Sequence, residues 1–153
     1  MEVLKFKYQS QIDELLTIGC QLPELFAPNG MHACRFVFSK EGHVNHIPQY
    51  MSNPKRMLQD MGKGTATTSL LSLSCFATTE KAELFYSSLC KAFKNVYHSI
   101  GDSLSEGILT NADGKKTNTA SNGHFDFYEY ESCDLNKTFQ VTKNLLEKKD
   151  EKD

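Results

Sequence analysis

The chain has 153 residues and a formal net charge of −2; 39% of its residues are hydrophobic and 24% are charged. This length suffices for one domain whose core needs no metal or disulfide to fold. The near-neutral charge disfavours a strongly basic nucleic-acid binder. The sequence predicts neither a membrane-spanning helix, because it lacks 18 consecutive apolar residues, nor a secretory leader.

The cysteines indicate a reducing compartment. There are five, an odd number, widely spaced and without a C-x-x-C pair, so free thiols are expected rather than disulfides. We therefore expect a cytoplasmic protein. Cys34 and Cys75 lie within apolar runs, where a thiol behaves as a small hydrophobe, and both are expected to be inert core residues.

Hydrophobic periodicity in the first half of the chain predicts strands and short helices. Alternation of apolar and polar residues indicates strands. Ser10 as a candidate N-cap, followed by Asp13 and Glu14, indicates the first turn of a helix. Proline, glycine and asparagine mark the irregular connections. The predicted segments are strands at 3–7, 32–38 and 69–76, a helix at 11–19, loops at 21–30 and 42–54, and one helical turn at 55–61.

The second half combines one long helix with further strands. Apolar residues at helical spacing, after a cap by Thr78 or Thr79, predict a helix over 80–98. Strands follow at 104–110, 124–131 and 138–142, and the polar segment 111–123 is predicted to be a mobile loop or a hairpin tip. The sequence therefore predicts a single α+β domain over 1–143, with a mainly antiparallel sheet of five or six strands and two helices, and a charged, disordered tail at 144–153.

Polar residues within apolar strands are the candidates for chemistry. A side-chain period of two places Glu129 and Glu131 on one face, where like charges raise one pKa, although solvation at the strand end would also explain them. Arg35 lies in an apolar strand, where an unpaired charge is costly, so it is predicted to form an internal ion pair, to lie on an edge strand or to act as a phosphate clamp. Ser72 and Ser74 form the polar face of one strand, which is also typical of half-exposed strands.

An arginine on an early strand, serines on a middle strand and a Glu-x-Glu on a late strand resemble the Arg–Ser–Glu pattern of mono-ADP-ribosyltransferases. The resemblance implies a split, mostly antiparallel sheet that grips NAD. Arg35 would hold the cofactor phosphates, and Ser72 or Ser74 would support the site. Glu131 would bond the nicotinamide ribose and stabilise an oxocarbenium-like transition state, while Glu129 would orient the acceptor.

This resemblance favours a small NAD-using protein, similar to ADP-ribosyltransferases or NAD glycohydrolases and of the toxin or defence-effector kind. NAD would be its substrate, and no metal is expected. Tyr128, on the polar face of the strand that carries the glutamates, is a further candidate for the cofactor site. This function requires the arginine, the serines and the glutamates to meet in one cleft.

Two other functions fit the same sequence. A non-enzymatic interaction module, acting with a larger protein partner, would present Tyr128, Tyr130 and the 111–123 loop at its surface. Neither a nucleic-acid nor a membrane partner is indicated. A metal-dependent hydrolase would bring together imidazole and carboxylate ligands, and its candidate ligands are His43, His46, His124 and Asp126.

Overall fold

Six antiparallel strands form one sheet in a computed structural model that describes residues 4–146. The strands are β1 (Met31–Val37), β2 (Leu73–Phe76), β3 (Ser103–Leu109), β4 (Gly114–Lys116), β5 (His124–Glu129) and β6 (Gln140–Asn144). Their order across the sheet is β4-β5-β2-β1-β3-β6. This confirms the predicted α+β class and the mainly antiparallel sheet.

Six helices accompany the sheet within the described residues, where the sequence predicts two. They are α1 (Gln9–Thr17), α2 (Gln49–Ser52), α3 (Pro54–Lys63), α4 (Thr79–Ala92), α5 (Tyr97–Ile100) and α6 (Leu135–Thr138), and a 3-10 helix covers Thr68–Leu71. None of them is long and apolar enough to cross a membrane.

Local capping explains where these helices differ from the predicted segments. The predicted turn at 55–61 is the longer α3, because Asn53 accepts the Arg56 N–H at one end and Gly64 takes a left-handed conformation at the other. Thr78 caps α4 as predicted, by accepting the Lys81 N–H. The predicted 80–98 helix is interrupted near Asn95, whose φ is 62°, so α4 and α5 are separate.

The sheet carries a hydrophobic core on each face. One face holds Ala33, Leu73, Cys75, Phe125 and Phe127, among other residues. The opposite face packs against α4 through a smaller cluster, and α1, α2 and α3 enclose a third cluster. Cys34 and Cys75 are both buried, in agreement with the expectation that these thiols lie in the core.

The ends of the domain are fastened to the sheet by backbone hydrogen bonds. Within the predicted strand 3–7, Phe6 pairs with Tyr130, and the Lys7 N–H donates to the Glu129 carbonyl at 2.8 Å. At the other end β6 runs to Asn144, and the Leu145 N–H donates to the Asp102 carbonyl at 2.8 Å. Residues 1–3 and the tail segment 147–153 lie outside the described residues.

The two central strands diverge, and this divergence positions the candidate site. β1 pairs with β3 along seven residues and β2 pairs with β5 along four, but β1 and β2 share the single pair Cys34 and Phe76. Beyond that pair, the Arg35 guanidinium donates to the Ser74 carbonyl at 2.6 Å. The Arg35 side chain thus makes a hydrogen bond to β2 that a backbone N–H would make if the two strands continued to pair.

Candidate functional site

A pocket of about 350 Å³ opens where β1 and β2 diverge. We call it the sheet cleft. Its walls come from β1, the 3-10 helix, β2, α4 and β5, together with the segment around α2 and residues of α5. The polar lining residues include Arg35, Ser69, Ser72, Ser74, His124 and Asp126.

Arg35 brings a positive charge to this cleft without a matching carboxylate. Its Nε donates to His46 Nδ1 at 2.9 Å, and its Nη1 donates to the Ser74 carbonyl at 2.6 Å, so both of these partners are uncharged. Among residues 4–146, no carboxylate oxygen lies within 4.0 Å of the guanidinium. A partly buried cation in this state attracts anions, and its planar fork suits phosphate.

His46 is held in its neutral form beside Arg35. Burial, with the neighbouring Arg35 charge as the next cause, lowers the pKa of His46 to about 3. The hydrogen bond requires the same form, because Nδ1 can accept from the guanidinium only when it carries no proton. His46 therefore orients Arg35 without neutralising its charge.

A serine and a histidine form a hydrogen-bonded pair across β2 and β5. The Ser74 hydroxyl contacts His124 Nε2, and Asp126 Oδ1 lies 3.7 Å from the same nitrogen. Asp126 is held by Ser69, whose hydroxyl donates to Oδ2 at 2.9 Å. The cleft thus combines a hydroxyl, a base and a carboxylate, although the carboxylate approaches Nε2 rather than Nδ1, unlike the catalytic triad of serine hydrolases.

The predicted cofactor residues Ser72, Ser74 and Tyr128 differ in exposure and in position relative to the sheet cleft. Ser74 is exposed on β2, whereas Ser72 is buried and donates its hydroxyl to the Ser69 carbonyl at 2.6 Å. Tyr128 lies 1% exposed and borders a neighbouring pocket rather than the sheet cleft. Tyr130 is only 7% exposed, so the expectation that these two tyrosines form an exposed aromatic surface is wrong.

The two predicted catalytic glutamates do not line the sheet cleft. Glu129 is 5% exposed on the face of β5 opposite Asp126, and its Oε2 lies 2.8 Å from Lys7 Nζ. Burial raises the pKa of the Glu129 carboxyl, and Lys7 opposes that rise. Glu131 is exposed in the turn after β5. The two carboxylates differ in burial because β5 ends at Glu129, and Glu131 lies in the turn that follows the bridged residue Tyr130.

The histidines proposed for a metal hydrolase do not gather at one point. His43 packs on the Phe38 ring, with centroids 4.2 Å apart, while His46 binds Arg35 and His124 binds Ser74. In the part of the chain that the structure describes, the group with metal-ligand geometry is His32, Cys34 and Glu106.

Sequence reasoning assigned His124 and Asp126 to a metal site, and their position beside Ser74 was missed. The available signal was the alternation of polar and phenylalanine residues along 124–127, which marks one polar face of a strand. The register that sets Ser74 opposite Asp126 could not be read from that alternation.

Comparison with known proteins gives no match. No family model matches the chain, and no curated protein and no solved structure reaches significant similarity to it.

Proposed function

We propose that the sheet cleft binds NAD and that the protein uses it in ADP-ribosyl transfer or NAD hydrolysis. The observation that carries this proposal is the Arg35 guanidinium, without a direct ion pair among the described residues, beside serines in a cleft between diverging strands. NAD supplies a diphosphate for the guanidinium, and its ribose hydroxyls suit the serine and carboxylate oxygens.

In this proposal Asp126, rather than Glu131, is the reactive carboxylate. Cleavage of the bond between ribose and nicotinamide develops positive charge on the ribose, which a nearby carboxylate stabilises. Asp126 lines the cleft, and Ser69 fixes its orientation. In hydrolysis, the bonding electron pair leaves with nicotinamide, water adds to the ribose carbon, and the proton released passes to His124.

The first experiment measures NAD binding by calorimetry and conversion of NAD to nicotinamide and ADP-ribose by chromatography. Arg35→Gln is expected to weaken binding about tenfold or more, because a charge-assisted hydrogen bond contributes roughly 1.5–3 kcal/mol. Arg56→Gln removes the other arginine, which lies on α3 within reach of Asp60, and is the matched control. Its affinity is expected to equal that of the wild type.

A further variant, at Asp126, tests the chemistry. Asp126→Asn should retain NAD binding within about threefold and lose most turnover, since it removes the charge and keeps the shape.

Because Arg35 also supports Ser74 and His46, Arg35→Lys is measured beside Arg35→Gln, with circular dichroism as a check of folding. Absence of NAD binding by the wild type would contradict the proposal and favour the interaction module.

A further inference from the structure

Three side chains on the sheet place ligand-type atoms within 4.8 Å of one another: His32, Cys34 and Glu106. Cys34 of β1 lies directly opposite Glu106 of β3, and His32 is two residues along β1 on the same face. His32 Nε2 lies 2.8 Å from Glu106 Oε1 and 3.9 Å from Cys34 Sγ.

The hydrogen bonds of His32 define which nitrogen is available to a ligand. Nδ1 lies 3.0 Å from the Ala77 carbonyl, which can only accept, so Nδ1 carries a proton. The lone pair of Nε2 then faces a carboxylate oxygen, which is also an acceptor. Two acceptors 2.8 Å apart need a positive species between them, either a second proton or a metal ion.

We propose that His32, Cys34 and Glu106 bind a zinc ion, with water in the fourth position. Imidazole, thiolate and carboxylate are all zinc ligands, and thiolate disfavours magnesium and calcium. A histidine that binds a metal commonly donates its other N–H to a carbonyl, as Nδ1 of His32 does to Ala77. The second oxygen of Glu106 accepts from the Thr142 hydroxyl, which orients the carboxylate in the same way.

The present distances are close to those of a tetrahedral site. Bond lengths to zinc place its ligand atoms about 3.3–3.6 Å apart. The Nε2–Oε1 distance would lengthen by about half an ångström, and Cys34 Sγ would approach the carboxylate by up to about 1 Å, which side-chain rotation supplies. The side chains of His32 and Glu106 are 38% and 27% exposed, so an ion can enter from solvent.

Binding releases protons in a balanced way. The Cys34 thiol gives up its proton to become the thiolate ligand, and an imidazolium at His32 gives up the proton on Nε2. Burial raises the pKa of the Cys34 thiol to about 12, so this thiol is protonated until a metal displaces the proton. Up to two protons therefore leave for each zinc ion bound.

Cobalt substitution tests this site independently of NAD. The full chain is stripped with a chelator and titrated with Co²⁺ and then Zn²⁺, and thiolate-to-cobalt charge transfer is followed by absorption. One equivalent of Co²⁺ is expected to produce a thiolate-to-cobalt charge-transfer band together with the strong d–d transitions of a tetrahedral site. Zn²⁺ is then expected to displace the Co²⁺ and remove the band. Cys34→Ser should abolish the band, and His32→Gln should raise the dissociation constant at least about tenfold.

Cys90→Ser is the matched control, because it removes a partly buried thiol on α4. It should leave the band and the affinity unchanged. Urea unfolding of each metal-free variant shows whether it is folded, and His32→Gln provides the test if Cys34→Ser unfolds. A wild type without the cobalt band, or binding that survives both Cys34→Ser and His32→Gln, would overturn the proposal and assign the bridge to a proton.

Discussion

The two faces of β5 carry carboxylates in contrasting surroundings. Asp126 faces the sheet cleft, where its side chain is 20% exposed and accepts from Ser69. Glu129 faces the other side, where its side chain is 3% exposed and pairs with Lys7. The Asp126 carboxylate is accessible to a ligand, whereas the Glu129 carboxylate already forms an ion pair with Lys7.

This contrast indicates a structural role for Glu129 and leaves Asp126 as the candidate for binding a ligand. Lys7 also donates to the Cys133 carbonyl, so its ammonium joins the N-terminal segment to both β5 and the turn that follows it. A buried carboxylate matched in this way gains little from a ligand, because any new partner must displace the lysine. The chemistry is therefore expected on the Asp126 face.

The largest predicted effect concerns the Glu129 face. Lys7→Met leaves the Glu129 carboxylate buried without its partner and is expected to lower the free energy of unfolding by about 3–5 kcal/mol. The measurement is urea unfolding at neutral pH. Lys5→Met, which removes an exposed lysine two residues away, should change it by less than about 0.5 kcal/mol.

A double variant sharpens this result. Adding Glu129→Gln to Lys7→Met replaces the unmatched charge by a neutral amide, so part of the lost stability should return. If the double variant were no more stable than Lys7→Met, the ion pair would not be the cause of the loss.

The second predicted effect is a pH dependence that originates beside the cleft. The pKa of His46 is about 3 in the folded protein and about 6.5 when unfolded, so the unfolded chain binds the extra proton below pH 6.5. Stability should therefore fall by about 3 kcal/mol between pH 6.5 and pH 4. The charged groups that act on this imidazole are Arg35, Asp134 and Lys7.

His46→Asn isolates this contribution. Asparagine tolerates the left-handed backbone at this position, where φ is 61°, and its carbonyl can accept from Arg35. The raised pKa of Glu129 gives a pH dependence of stability with the opposite sign, because its stabilising contribution is present at low pH and is lost as pH rises. Wild type and His46→Asn share this contribution, so it cancels in the comparison between them. A slope for His46→Asn equal to that of the wild type and of the exposed-loop control His43→Asn would contradict the assignment.

Local periodicity made the fold predictable. The strands predicted at 32–38 and 124–131 correspond to β1 and β5, and helical spacing identified α4. The break after α4 was not predicted, because α4 ends at Ala92 and Phe93 is extended although the apolar pattern continues in the sequence to Val96. The 69–76 strand begins as a 3-10 helix because the Thr67 hydroxyl accepts the Ser69 N–H.

The site was only partly predictable, because its partners are distant along the chain. Arg35 and Ser74 could be selected by residue type within apolar strands. The ion pair of Glu129 with Lys7 was not predicted, because Lys7 is 122 residues away in sequence and nothing local distinguishes a buried ion pair from a catalytic acid. Likewise, Cys34 was expected to be inert, since only the pairing of β1 with β3 sets it opposite Glu106.

A smaller effect is predicted on the cleft face of β5. Ser69→Ala removes the hydroxyl that holds Asp126 and is expected to lower the free energy of unfolding by about 1 kcal/mol. It should also reduce NAD turnover, because the carboxylate loses its fixed orientation. Ser121→Ala, in an exposed turn, is the control and should change neither quantity.

The smallest predicted effect decides between the two carboxylates proposed for catalysis. Glu131→Gln changes an exposed side chain outside the cleft, so both stability, within about 0.5 kcal/mol, and NAD turnover should stay at the wild-type level. Asp126→Asn measured in parallel should lose turnover. The opposite pattern, with turnover lost in a folded Glu131→Gln and kept in Asp126→Asn, would return the catalytic role to the late Glu-x-Glu and show that its turn reaches the ligand in the bound state.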